Sequence, residues 1–259
     1  EWGIRGAAIA TSLSWLMAML VSLHILRQRE QLLSWRLSPR PQRLAHWRAL
    51  LQVAVPASFT NMLNPLANAV LMVIFAGLGT EVVAAYGAAS RVEALLLIVM
   101  MALSSVLAPF VSQNCGAGNP ARARAALLFC MRFALLFQLA IYGLVWLLAP
   151  LIANLFSDHP QVVRLIVLYL HLVPIGYGFQ GMVMLLASAL NGVRASTVSF
   201  VFNGMRLFVF LLPGAWLGAK LGGEQGIYLG ILLANLAAGL LAWGYAHRRF
   251  ERLCHQVNP

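Results

Sequence analysis

The sequence predicts an all-α fold, a polytopic membrane helix bundle, on three observations. First, 61% of its 259 residues are hydrophobic, only 10% are charged, and the mean hydropathy is +0.81. Ordinary soluble domains are about 25% charged, so too little charge is available here to coat a water-soluble globule. Second, seven apolar stretches recur along the chain, each long enough to cross a bilayer core of ~30 Å as a helix. Third, short segments rich in Gly, Pro, Asn and Asp separate most of them, as turn signals do. The strand alternation of a barrel is absent. The same composition excludes disorder. Three scattered cysteines, Cys115, Cys130 and Cys254, form neither a disulfide framework nor a metal-ligand spacing.

The predicted spans, in order, run over residues 6–26, 49–78, 82–111, 125–156, 162–190, 196–217 and 225–246. Several exceed the minimum length, which predicts tilted or kinked helices. A basic stretch, Arg27 to Arg48, separates the first two, and within it Gln31 to Leu44 predicts a segment lying along the cytoplasmic surface. The later connections are Gly77–Thr80, Asn114–Pro120, Ser157–Pro160 and Gly218–Gly223. The glycines of Asn114–Pro120 read as a tight turn. No strand precedes it and no Lys-Ser/Thr pair follows, so a phosphate loop is a weak reading.

Charge sets the expected orientation. The net charge is +11, yet its distribution points to a membrane and not to nucleic acid. With the Arg27–Arg48 stretch placed in the cytoplasm and sides alternating, thirteen arginines fall inside (27, 29, 36, 40, 43, 48, 122, 124, 132, 194, 248, 249, 252). Only Arg5, Arg164 and Lys220 fall outside, beside Glu1, Glu81, Asp158 and Glu224. This bias follows the positive-inside rule. It predicts a multi-pass protein of the plasma (inner) membrane with a cytoplasmic C-terminus.

Two distant stretches echo one another, Gly3–Ala10 at the first span and Gly223–Gly230 at the seventh. Each opens with two glycines three residues apart. Secondary transporters are often built from repeated bundles, so the echo predicts two six-helix lobes. The chain begins at Glu1 within an apolar run and shows no signal-peptide pattern. The expectation is a C-terminal lobe fragment. Residues 1–26 would form the last transmembrane helix of the N-lobe, 27–48 a cytoplasmic inter-lobe linker, 49–247 the six-helix C-lobe and 248–259 a cytoplasmic tail.

Polar side chains in hydrocarbon are costly and normally face a bundle interior or a wet cavity. Four sets fall on single helical faces. Span two offers Asn61, Asn64 and Asn68, next to Pro65, which predicts a kink. Span three offers Tyr86, Ser90 and Glu93. Span five offers Tyr177, Gln180 and Met184, and span six Ser199, Asn203 and Arg206. They predict a central substrate cavity; hydrogen bonding that merely holds the bundle together is the alternative. Two roles are open to Glu93: proton exchange, or an ion pair with Arg206. His171 reads as structural, and most methionines as core, with Met184 a compliant wall for varied ligands.

The order of the motifs resembles the multidrug and toxic compound extrusion (MATE) transporters over essentially the whole chain. The stretches that carry the resemblance are Gly6–Thr11, Val53–Pro56, Val83–Gly87, Ser90–Glu93, Ser112–Gly118 with Arg122 and Ala123, Leu155–Asp158 and Ala189–Gly192. The resemblance implies twelve spans in two lobes. It implies an antiporter that exports amphipathic, often cationic compounds in exchange for protons or sodium ions. Two positions depart from the NorM-type pattern. Asn64 and Gln180 stand where that branch carries cation-site acids, a pattern more similar to the DNA-damage-inducible F branch, whose coupling acid is associated with the other lobe. The implied partners are small organic substrates, the lipid bilayer and an N-terminal lobe of the same polypeptide, with no nucleic acid, no metal and no cofactor beyond the coupling ion. A lipid-linked oligosaccharide flippase of the same superfamily is one alternative, though more cationic residues inside the cavity would be expected. An intramembrane enzyme is another, but no nucleophile or metal constellation stands at helical spacing.

Overall fold

The structure, a computed structural model, describes residues 3–28 and 40–257. They form helices and turns, with no strand among the described residues. Ten α-helices follow one another: α1 (Gly3–Gln28), α2 (Arg40–Ala76), α3 (Thr80–Leu96), α4 (Ile98–Gly116), α5 (Pro120–Phe156), α6 (Pro160–Leu172), α7 (Tyr177–Gly192), α8 (Ser196–Gly204), α9 (Leu212–Arg248) and α10 (Phe250–Val257). The chain divides into two compact units, residues 1–50 and 51–259. The first contains α1, apolar and solvent-exposed over Ile9–Gln28, as a helix facing lipid would be. Of the expected inter-lobe linker, residues 29–39 lie outside the described residues. Its end is helical, because α2 starts at Arg40, and α2 continues through Pro65 without a break in helix.

In the second unit α7 is the most enclosed helix, packed against α4, α5, α8 and α9. Three predicted spans are interrupted. The third is α3 and α4, separated by Leu97 alone, at φ −89°, ψ −3°, in the sparsely populated bridge region. The fifth is α6 and α7, joined by a 3₁₀ turn at Val173–Gly176, where Pro174 lacks the N–H an α-helix would use. The sixth passes from α8 through a π-helical turn, Met205–Leu211, into α9. Pro213 lies two residues beyond the turn, and its missing donor and ring clash favour the wider turn.

The end of the sixth span and the whole of the seventh are the two arms of α9. Gly222 (φ −140°, ψ 17°) and Gly223 (φ 55°, ψ −131°) interrupt its helical geometry. A Cβ at Gly226 would strike the backbone of Gly218, and one at Gly230 the backbone of Gly214. Residues 214 and 230 would lie ~24 Å apart in a straight helix, so these contacts require the chain to reverse at Gly222. Two glycines four residues apart on each arm let the backbones touch, the close packing that small residues permit between membrane helices.

Residues 248–259, expected as a plain tail, carry α10, packed against α4, α5 and α9. Phe250 and Cys254 are buried, and Glu251 accepts a charge-assisted hydrogen bond from Arg124 at 3.0 Å. Cys254 forms a disulfide with Cys115, across 139 residues. Scattered cysteines that suggest no disulfide framework thus include one bonded pair: α10 folds back onto the end of α4, a return that sequence spacing does not encode. Cys130 is free.

Candidate functional site

A cavity of about 400 Å³ opens among α2, α3, α6, α7, α8, the π turn and α9. It is lined by Asn64 and Asn68 from α2, by Tyr86, Ser90 and Glu93 from α3, and by Tyr177, Gln180 and Met184 from α7. Asn203 of α8 and Arg206 of the π turn complete the set of residues that the helical faces single out. The i, i+3, i+4 and i+7 spacings thus bring the four helices' polar sides to one hollow. Ser199 lies elsewhere, in an adjoining cavity. The side chain of Asn61 lies outside the described residues.

The polar groups form one connected chain. Glu93 accepts on both carboxylate oxygens, from the Tyr169 hydroxyl at 3.1 Å and from Gln180 Nε2 at 3.1 Å. The Tyr177 hydroxyl donates to Tyr169 at 3.3 Å. Asn235 Nδ2 donates to Gln180 Oε1 at 3.5 Å, and Arg206 Nε donates to Asn235 Oδ1 at 3.4 Å. The direct Glu93–Arg206 ion pair open to the sequence is thus corrected: two amides, Gln180 and Asn235, stand between the charges. The half-buried carboxylate and the buried guanidinium each find hydrogen-bonding partners, and the two amides transmit the polarisation between them.

Aromatic rings back this chain. Phe75 stacks on Tyr86 with centroids 4.3 Å apart, and Tyr169 meets Tyr228 edge-on at 5.2 Å. The rings of Tyr86, Tyr169 and Tyr177 thus give the hollow a rigid, polarisable lining beside the neutral amides of Asn64 and Asn68. Elsewhere His171 is held on α5, its Nε2 3.2 Å from the Trp146 carbonyl and its ring stacked on Trp146, consistent with its structural reading.

Asn235 and Tyr169 are central to the chain but belong to none of the four predicted faces. Asn235 had a signal: it is a lone amide inside the apolar run Ile231–Trp243. Tyr169 had a weaker one, eight residues before Tyr177, hidden because the 3₁₀ turn re-phases the helix between them.

A polytopic helical bundle with a polar, aromatic-backed cavity between its rods is the architecture of a membrane transporter. The MatE family model matches residues 56–217, and the chain belongs to the MatE family. It is 41% identical over 98% of its length to the FAD transporter of Shewanella oneidensis, covering 56% of that protein. It is 25% identical to the probable multidrug resistance protein YpnP of Bacillus subtilis, over 84% of this chain and 50% of that one. Among solved structures, the Vibrio cholerae MATE transporter VcmN in the bent form is 32% identical, with a TM-score of 0.87, over 98% of this chain and 57% of its own. The chain spans about half the length of the curated relatives it matches.

Proposed function

We propose that the chain is one lobe of a secondary active antiporter that exports amphipathic organic compounds by alternating access, in exchange for protons or sodium ions. The observation that carries this reading is the convergence of polar faces from separate rods on one aromatic-backed cavity. Inside a membrane such groups mark a substrate or ion pathway. The half-length match to relatives supports a second lobe completing the cavity, with the two lobes rocking about it in the inner membrane and the C-terminus in the cytoplasm. Amides at Asn64 and Gln180 support the DNA-damage-inducible F-like branch. In that reading the principal cation site belongs to the other lobe, and Glu93 helps to hold the cavity's polar chain together.

A second substrate reading has its own support. Both oxygens of Glu93 are already engaged, whereas among the described residues no carboxylate lies within ion-pair distance of Arg206. That balance favours an aromatic anion over a simple cation, and the Shewanella relative is named for FAD. Reconstitution of the full-length protein in vesicles separates the readings. A fluorescent cation and FAD are each loaded, and proton and sodium gradients are imposed separately. Export of either compound driven by one gradient is the expected result. Equal leakage with and without gradients would remove the antiporter reading.

A further inference from the structure

Next to the transport cavity lies a second hollow of about 390 Å³. The two share Asn64, Met184 and Asn203, so they are contiguous. The second is set toward the ends of the rods where α7 finishes and α8 begins. Its other polar lining comes from Ser104 and Ser105 of α4, Ser188 and Asn191 of α7, and Ser199 of α8. No charged residue lines it.

Two of these hydroxyls are unusual. Ser199 is fully buried, and its Oγ has no hydrogen-bond partner; the buried Oγ of Ser104 has none either. Neighbouring groups are committed: Ser188 donates to the Ser104 carbonyl, and Asn203 Nδ2 donates to the Ser199 carbonyl at 3.0 Å. Buried polar atoms are normally paired, and an unpaired one costs stability. Two unpaired hydroxyls on separate helices lining one hollow therefore point to a ligand that pairs them.

We propose that this hollow is a subsite for an uncharged, hydroxyl-bearing arm of the transported compound, while the aromatic end rests in the first cavity. The inference deepens the transport reading and rests on it. Charge decides the ligand class. An ion placed here would be desolvated with no opposite charge to compensate it. A hydroxyl both donates and accepts, which matches free serine hydroxyls and the carboxamides of Asn64 and Asn191. The two contiguous hollows then read an elongated amphipath: a flat ring system at one end, a neutral polyol at the other.

Two fluorescent probes test this directly: lumichrome, a bare three-ring flavin nucleus, and riboflavin, which adds a ribityl chain to a similar nucleus. Binding to the full-length protein in lipid nanodiscs is followed by fluorescence anisotropy, with empty nanodiscs as the blank. Riboflavin is expected to bind more tightly than lumichrome. Ser104→Ala and Ser199→Ala should each weaken riboflavin by roughly 3- to 10-fold, the range of one hydrogen bond, and leave lumichrome within twofold, with unfolding temperatures no lower than that of wild type. If wild type binds both probes equally and the serine variants are silent, the subsite is overturned while the transport cavity stands. If neither probe binds wild type, the subsite and the aromatic cavity reading fall together.

Discussion

At the scale of single residues, Asn235 joins the two charged ends of the cavity. It accepts from Arg206 and donates to Gln180, so its removal leaves a buried guanidinium without its acceptor. Asn235→Leu is expected to lower the transport rate at least tenfold, a loss consistent with ~1–3 kcal/mol for an orphaned buried polar group. Asn235→Asp keeps the acceptor, loses the donor and should fall between. Transport per folded molecule in vesicles checks this; a wild-type rate in Asn235→Leu would contradict the role. Residues on regular helical faces were legible beforehand, since Asn64, Asn68, Ser90 and Glu93 share the hollow that their spacing predicts. Asn235 and Tyr169 were not, because a lone polar residue shows no periodicity and a 3₁₀ turn breaks the phase that periodicity needs.

At the scale of elements, the α9 hairpin turns on its glycines. Gly218 and Gly226 are in backbone contact, as are Gly214 and Gly230. Gly226→Leu should therefore separate the two arms and abolish recovery of monodisperse protein from the membrane. Gly244→Ala, where an added Cβ meets nothing within 4 Å, should behave as wild type. Size-exclusion yield measures both, and a normal yield for Gly226→Leu would refute the close packing. The turn itself was legible, because Gly218–Gly223 is a concentrated breaker signal in an apolar context. The interruptions at Leu97, Val173–Gly176 and Met205–Leu211 were not, since a short change of hydrogen-bond register leaves hydropathy untouched. The return of α10 to α4, with the Cys115–Cys254 bond, is likewise a tertiary fact that neither cysteine's neighbours announce.

At the scale of the whole molecule, hydropathy was enough to predict an all-helical membrane fold, and five of the described helical stretches are long and apolar enough to cross a bilayer. In a bilayer the backbone must satisfy its own hydrogen bonds, and apolar runs therefore become helices. What they cannot supply is the way the rods meet, which depends on glycine contacts and helix breaks. The central claim is that the polar sides of these rods form the chamber that holds the transported compound. The most direct test is protection of a single engineered thiol at Asn68, on the cavity wall, in full-length protein carrying Cys130→Ser and its intact Cys115–Cys254 bond. A saturating transported compound should slow maleimide labelling of Asn68→Cys at least fivefold and leave Leu221→Cys, on the exposed hairpin turn, unchanged. Equal labelling rates with and without the compound at Asn68→Cys would contradict the account.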